Sequence, residues 1–250
     1  MEEPPLPEAP APAAPPRPRT PWGLRDMAMA VGLIIVGVIA ISLPAALLAS
    51  FIAGDAEIDE DPGALVIVLV ASLCLELVIL AAAVIFSVRK YGVSWADLGL
   101  RPPRRGGYWL PFVLALGGLV LVYLFVLILD AFDAAPESSV PEGMFNNAGP
   151  AVLLGVLALV FAPIMEETFF RGFLFGGLRG RWGTLWAALA SGLLFGLAHL
   201  GNPGSAATIF PIAAVGVLFA FGYAYSGSIV AAILAHFLFN TVSYIAGFAA

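Results

Sequence analysis

Seven long apolar segments constrain the fold of this chain more than any other feature of its sequence. Each is close to the roughly 20 residues that an α-helix needs to cross the hydrocarbon core of a bilayer. Backbone polar groups surrounded by lipid must be satisfied within the segment, which favours helices. The pattern therefore predicts an all-α, polytopic transmembrane bundle of about seven spans. The segments lie near residues 27–53, 64–87, 109–131, 150–178, 183–200, 206–225 and 229–249.

The composition agrees with a membrane protein. Hydrophobic residues make up 61% of the 250 residues and charged residues 11%, whereas a soluble domain has about 25% charged residues. The net charge of −6 gives no indication of nucleic-acid binding, because most of the acids lie in loops and in the N-terminal region. The single cysteine, Cys74, lies in an apolar run and leaves no intrachain disulfide to form.

The first 26 residues differ from the rest of the chain. They contain nine prolines and almost no bulky apolar side chain before Trp22. Such a stretch cannot bury enough apolar surface to fold, so we expect a disordered, proline-rich tail over residues 1–26. The transmembrane domain would then occupy residues 27–250.

The basic residues predict the orientation of the bundle. Arg171 lies inside an apolar segment, and the other ten of the eleven lysines and arginines all lie in the tail or in the loops after the second and fourth segments. These three regions fall on the same side of a seven-span chain. The positive-inside rule therefore places the N-terminus in the cytoplasm and the C-terminus outside.

Besides end residues such as Asp130, four charged residues interrupt the apolar segments: Glu76, Glu166, Glu167 and Arg171. Each costs about 2.5–3.5 kcal/mol at the centre of a membrane helix on insertion scales, so a function is expected. Glu167 and Arg171 are spaced i and i+4 and share one helix face, which predicts an ion pair. Glu166 points about 140° away from Arg171 and is left free to face a cavity. The alternative to a functional role for Glu167 and Arg171 is a purely structural ion pair that holds helices together.

Glu76 has no visible partner in the sequence. It is expected to be either a member of a proton relay or a neutral carboxylic acid hydrogen-bonded between helices. Pro163, one turn before the paired glutamates, lacks the N–H that would bond to Leu159, and a bend that admits water is expected there.

Both histidines of the chain also lie in apolar segments. His199 ends the fifth segment, after Gly192-x-x-x-Gly196, a spacing that lets a neighbouring helix approach closely. His236 shares a face of the seventh segment with Asn240 at i+4. A general base, an imidazole and an amide donor in a dry pocket suit the transfer of an acyl group to water.

Three short motifs on the last helices resemble the signature of the CPBP family. The family comprises type II CaaX prenyl endopeptidases and bacteriocin-processing or immunity-related membrane proteins, also called Abi. The resemblance covers about residues 150–249, and residues 95–100 are similar to a segment that precedes the core in many members. The three motifs are Glu166-Glu167-x-x-x-Arg171, Phe195-x-x-x-His199 and His236-x-x-x-Asn240.

The resemblance implies an intramembrane endopeptidase that cleaves a membrane-associated protein or peptide. Glu166 and His199 would activate the attacking water, and His236 and Asn240 would stabilise the oxyanion. Glu167 and Arg171 would support the helix that carries Glu166. The alanine- and glycine-rich composition is compatible with a bacterial protein of the cytoplasmic membrane.

Two further questions stay open at the level of sequence. Glu166, His199 and His236 are a possible zinc-ligand set that leaves a position for water, although Asn240 is a poor zinc ligand and slightly favours metal-free hydrolysis. Two other functions compete with proteolysis. One is a non-proteolytic membrane scaffold or bacteriocin-immunity protein, and the other is a proton-coupled transporter, for which the sequence shows no internal repeat.

Overall fold

The computed structural model describes residues 20–133, 142–200 and 205–249, and these residues form helices and their connections without a strand. A short 3₁₀ helix, Glu142–Phe145, precedes the fourth long helix. Six helices of the described part are long and apolar enough to cross a membrane, which confirms the predicted all-α membrane bundle. The helices are Leu24–Ala53 (α1), Pro62–Arg89 (α2), Gly107–Asp130 (α3), Ala148–Leu197 (α4), Ser205–Ser226 (α5) and Ile229–Ala249 (α6).

The seven predicted segments lie on six helices because the fourth and fifth are joined in α4. This helix has 50 residues, about 75 Å at 1.5 Å per residue, far more than a bilayer core of about 30 Å. It bends at Gly183, whose φ of 81° and ψ of 172° favour a glycine. Ser191 in the second arm donates a hydrogen bond to the carbonyl of Phe170 in the first arm (2.8 Å). The two arms therefore pack side by side, and α4 supplies two of the seven predicted spans.

The beginning of the bundle differs slightly from the prediction. α1 begins at Leu24, a few residues before the predicted start of the first segment. Trp22 is buried, stacks on Phe173 with ring centroids 5.7 Å apart, and donates a hydrogen bond from Nε1 to the Phe173 carbonyl (3.0 Å). Residues 20–26 thus pack on the bundle, and the rest of the predicted disordered tail, residues 1–19, lies outside the described residues.

The outward faces of the helices are strongly apolar. On α1, a stripe at helical spacing exposes Val36, Ile39, Leu43 and Leu47, each to more than 60% of its surface. A soluble monomer rarely exposes a continuous apolar surface of this kind. The stripe is the expected lipid-facing surface of a membrane helix.

Several helix ends meet at one end of the bundle, which we call the basic end. Here the chain enters α1, leaves α2, enters α3, bends at Gly183, and turns from α5 into α6 at Gly227. The loop after α2 is bonded to that last turn, because Arg101 Nε donates to the Gly227 carbonyl (2.8 Å) and Ile229 N donates to the Gly99 carbonyl (2.9 Å). All described basic residues except Arg171 lie at this end.

Small residues bring α5 against the second arm of α4. A Cβ added to Gly192 would lie 2.7 Å from the carbonyl oxygen of Ala213, and one added to Gly196 would lie 2.5 Å from that of Ile209. The close approach predicted from the Gly192-x-x-x-Gly196 spacing is therefore confirmed. It places the face that carries Phe195 against α5.

Candidate active site

The first arm of α4 is irregular where it carries the paired glutamates. A π-helical turn, Leu157–Phe161, precedes the short α-helical stretch Ala162–Glu167, and a second π-helical stretch, Thr168–Phe175, follows it. A π-helical turn at Pro163 would need an N–H to donate to Ala158, and proline has none. Asn240 Nδ2 on α6 supplies that bond instead, at 2.8 Å from the Ala158 carbonyl oxygen. The helix is therefore π-helical just before Pro163, the bend and the water expected there stay predictions, and the Asn240 bond ties α6 to α4.

Arg171 and Glu167 form the ion pair that their spacing predicted. Arg171 Nη1 lies 2.9 Å from Glu167 Oε1, and both side chains are fully buried. Arg171 also donates from Nη2 to the Gly216 carbonyl of α5 (3.2 Å), and its guanidinium lies 4.3 Å from the centroid of the Phe195 ring. The cation is thus held by an anion, a carbonyl and an aromatic face, the kinds of partner that stabilise a charge away from water.

His236 connects the two glutamates. Its Nδ1 lies 3.1 Å from Glu167 Oε1, and its Nε2 lies 3.9 Å from Glu166 Oε2. Since a carboxylate oxygen only accepts, the Nδ1 contact places a proton on that nitrogen and directs Nε2 towards Glu166. Glu167, expected only to pair with Arg171, therefore also orients His236.

Glu76 has a partner that the sequence did not show. It lies on α2, and its carboxyl group is close to that of Glu166. A hydrogen bond between two carboxyl groups needs one proton between them. The neighbour of Glu76 is thus the predicted catalytic base, and an acid shared between the two helices stays a prediction.

Three buried carboxyl oxygens face this cluster without a hydrogen-bond partner among the described residues: Oε2 of Glu76, of Glu166 and of Glu167. Buried acceptors of this kind in a native protein call for a ligand or a water. They are suited to hold the water molecule that a hydrolase must bind and deprotonate.

His199 and Asn240 lie at the edge of the cluster rather than inside it. His199 Nδ1 lies 2.9 Å from the Phe195 carbonyl of its own helix, and the Phe195 ring contacts both His199 and His236, at centroid distances of 5.0 and 5.9 Å. Asn240 is occupied by the Ala158 carbonyl. In the described part of the chain, neither residue makes a polar contact with Glu166.

The zinc-ligand set considered from the sequence does not form in this arrangement. Among the described residues, no three His, Cys, Asp or Glu side chains are placed to hold a metal ion. His236 contacts Glu167 through Nδ1, and His199 contacts the carbonyl and the ring of Phe195 rather than Glu166 or His236. The donors of the described residues do not fit a three-ligand zinc site in this conformation.

Comparison with known proteins supports the resemblance seen in the motifs. Residues 148–242 match the family model described as type II CAAX prenyl endopeptidase Rce1-like, and this stretch contains all seven motif residues. The chain is also 29% identical over 110 residues to "Putative membrane peptidase YdiL" of Bacillus subtilis, and 30% identical over 135 residues to "Uncharacterized 24.3 kDa protein" of Escherichia coli.

The matched regions are partial. They cover 44% of this chain and 43% of the Bacillus subtilis protein, and 52% of this chain and 62% of the Escherichia coli protein. No solved structure matches the chain. The family resemblance is confirmed over the segment that carries the candidate site.

Proposed function

We propose that this protein, whose residues 148–242 match the Rce1-like family, is an intramembrane endopeptidase. The observation that carries the proposal is the buried group formed by Glu166, Glu167, Arg171 and His236 between apolar helices. Polar groups of this kind are costly inside a membrane and are a sign of function. A carboxylate beside an oriented imidazole can act as the general base and general acid of a hydrolase.

In the proposed reaction, Glu166 takes a proton from a water molecule held by the unpartnered carboxyl oxygens. The water oxygen then attacks the carbonyl carbon of the scissile peptide bond. The tetrahedral intermediate collapses when its C–N bond breaks, and Glu166 gives the proton it took from water to the leaving amine. His199, which contacts the Phe195 ring, helps to activate the attacking water. His236, held in place through Nδ1 by Glu167, presents Nε2 to the substrate. When protonated, Nε2 donates to the oxyanion, and the Asn240 amide has a second N–H for the same purpose.

The substrate is proposed to be a membrane-associated protein or peptide, because the site lies among helices that face lipid. The sequence of the cleaved substrate, rather than the family description, would show whether the substrate carries a prenyl group. The bacterial origin of both relatives supports placement in a bacterial cytoplasmic membrane. The basic end would face the cytoplasm, with the N-terminus inside and the C-terminus outside.

The test compares three proteins expressed at equal levels in the native host: wild type, Glu166→Gln and Glu57→Gln. Glu57 is an exposed acid in the loop between α1 and α2, so its replacement makes the same chemical change away from the site. N- and C-termini of proteins are then mapped in membranes and medium. New termini are expected with wild type and Glu57→Gln and are expected to be absent with Glu166→Gln.

If all three proteins are folded and produce the same termini, the proposed proteolysis is wrong. The protein would then be tested for bound partners as a membrane scaffold or immunity protein, and for pH-dependent flux as a transporter. If termini appear, treatment of the purified protein with a zinc chelator separates the two mechanisms. Retained cleavage is expected for glutamate-activated water, and loss that zinc restores would require a metal.

A further inference from the structure

A cavity opens at the basic end of the bundle, and the carboxyl cluster does not line it. Its volume is about 590 Å³, within the range of small-molecule sites. Neither Glu166 nor His236 lines it. The wall is built by the chain before α1, the loop after α2, the bend of α4 and the end of α5, so four separate elements converge there. The lining includes two aromatic, three charged and one hydroxyl side chain: Trp22, Tyr223, Asp97, Arg101, Arg179 and Thr184.

The polar groups that line this cavity are mainly hydrogen-bond donors. Arg101 and Arg179 contribute two guanidinium groups, and both lie close enough to Tyr223 to influence its hydroxyl. Among the described residues, the Arg101 side chain makes one hydrogen bond, from Nε to the Gly227 carbonyl. Within the described residues, Arg179, Thr184 and the Tyr223 hydroxyl have no hydrogen-bond acceptor. A cavity with this surplus of donors is complementary to a ligand with several acceptor oxygens and a negative charge.

Asp97 is the acid in the lining, and its carboxylate accepts hydrogen bonds from Ser94. Ser94 donates to Asp97 Oδ2 from its backbone N (2.8 Å) and from its hydroxyl (2.7 Å). These hydrogen bonds, with a smaller contribution from Arg101, hold the pKa of Asp97 below its usual value. Two arginines against one aspartate leave a lining charge of +1, so an anion is still favoured.

The position of the cavity points to the kind of anion. It lies at the basic end, where the helices would leave the cytoplasmic face of the membrane, and a buried tryptophan forms part of its wall. Basic pockets between transmembrane helices at this level bind phosphate-bearing headgroups. Arginine also matches phosphate geometry, because its N–H groups form two parallel hydrogen bonds.

We propose that this cavity is a binding site for a phosphate group, coordinated by Arg101 and Arg179 with Thr184 and Tyr223 as further donors. The phosphate would come from an anionic phospholipid headgroup or from a soluble phosphate ester, two sources that share this chemistry. The site is separate from the proposed protease chemistry, so its test uses binding and not cleavage.

The experiment uses the full-length protein and four variants. Arg179→Gln removes one guanidinium from the cavity, and Thr184→Val removes one hydroxyl with little change in shape or charge. Arg105→Gln is the matched control, because Arg105 is exposed in the loop after α2 and does not line the cavity. Tyr223→Phe tests the remaining donor. A melting temperature is recorded for each variant, so that binding is compared among folded proteins only.

Two probes distinguish the sources of phosphate. Native mass spectrometry measures retention of phosphatidylglycerol relative to phosphatidylcholine, and calorimetry measures binding of glycerol 3-phosphate to the protein in neutral detergent. We expect Arg179→Gln to weaken binding about tenfold or more, as for loss of a charge-assisted hydrogen bond, and Thr184→Val to weaken it less. Arg105→Gln is expected to bind as wild type does.

Selective retention of phosphatidylglycerol alone identifies a lipid site, and binding of glycerol 3-phosphate with the same dependence on the variants identifies a soluble phosphate ester. The proposal is overturned if neither probe binds, or if Arg105→Gln weakens binding as much as Arg179→Gln does. It is also overturned if a peptide with a free C-terminal carboxylate binds and both phosphate probes fail. Should Arg179→Gln not fold, Thr184→Val and Tyr223→Phe carry the same comparison.

Discussion

Glu167 and His236 are joined by a hydrogen bond of 3.1 Å, and the same Glu167 oxygen lies 2.9 Å from Nη1 of Arg171. One carboxylate oxygen thus holds both the cation of its own helix and the imidazole of α6. The two adjacent glutamates therefore have different roles. Glu167 compensates a buried charge and positions His236, whereas Glu166 keeps a buried oxygen for a water molecule.

Replacing each glutamate by glutamine should therefore affect different properties. Glu167→Gln leaves the guanidinium of Arg171 without an anion in a fully buried place, which costs about 3–5 kcal/mol when one partner of a buried pair is lost. Glu166→Gln changes no ion pair of comparable strength and should leave the melting temperature close to that of wild type. Its cleavage activity should instead fall by about 10²–10⁴, the contribution of a general base.

Thermal unfolding in detergent and a cleavage assay, once a substrate is known, measure the two effects separately. Equal melting temperatures for wild type and Glu167→Gln would show that the ion pair does not stabilise the bundle. An active Glu166→Gln would remove Glu166 from the chemistry.

Glu76 is predicted to position Glu166. In Glu76→Gln, the amide still donates a hydrogen bond to the Glu166 carboxylate, and activity should stay within about tenfold of wild type. Glu76→Leu removes the donor and should lower kcat by roughly a further factor of ten, because the general base loses its orientation. The neighbouring substitution Leu77→Ala, on the exposed face of α2, is the control. The role assigned to Glu76 is wrong if the leucine and glutamine variants have the same kcat.

Residue spacing predicts contacts within one helix, whereas contacts between helices depend on how the helices pack. The pair Glu167–Arg171 lies within one helix, so the 3.6-residue period was enough to predict it. The contact between Glu76 and Glu166 joins residues 90 positions apart on two helices, and no local pattern encodes such a distance. The same is true of His236, whose helix periodicity fixes its face but not which glutamate it meets.

The apolar segments and their ends were also accessible from sequence, because the length of a membrane helix is set by the bilayer. The joining of two segments in α4 was not. Its bend depends on one backbone conformation at Gly183, and the residues before it, Arg179 and Arg181, predicted a loop there rather than a continuous helix. The donor-rich cavity at the basic end was likewise not predicted, because its arginines were counted only as markers of orientation.

Gly192 is predicted to be intolerant of a methyl group. A Cβ there would lie within 3.0 Å of Val217 and of the Ala213 carbonyl oxygen on α5, so the two helices would have to separate. Overpacking of this kind costs about 1–3 kcal/mol. Gly32→Ala on α1 is the matched control, because a Cβ there meets nothing within 4 Å and alanine is the better helix former. Thermal unfolding should rank Gly192→Ala well below wild type and Gly32→Ala at or above it.

Asp26 fixes the start of α1 to the end of α2. Its carboxylate accepts from Gly23 N (2.8 Å), Lys90 Nζ (2.5 Å) and the Tyr91 hydroxyl (2.7 Å), and it is buried. The hydrogen bond to Asp26 raises the pKa of Lys90 above its usual value. A raised lysine pKa contributes stability that is complete below the usual pKa and is lost as the pH rises through the raised one. The contribution is therefore complete at neutral pH.

Asp26→Asn should lower the melting temperature at pH 7 by about 5 °C, because three donors lose a charged acceptor. Asp55→Asn, in the exposed loop between α1 and α2, should leave it unchanged. As the pH rises towards the titration of Lys90, the melting temperatures of wild type and Asp26→Asn should converge. A difference that stays constant up to strongly alkaline pH would show that Lys90 takes no part in the stabilisation.

Asn240 donates a hydrogen bond to the Ala158 carbonyl and is also proposed to donate to the oxyanion. A second residue of α6 serves as a control that separates these two roles. Tyr244, one turn further along, donates its hydroxyl to the Ala151 carbonyl of α4 (2.7 Å), so Tyr244→Phe removes a comparable bond between the same two helices. Asn240→Ala and Tyr244→Phe should each cost about 1 kcal/mol of stability. Only Asn240→Ala should also lower kcat, by about 10²–10³, as for a lost oxyanion donor. If both variants lower kcat only in proportion to the folded fraction, Asn240 is a tie between helices and the oxyanion is stabilised by other groups, with His236 Nε2 as the first to test.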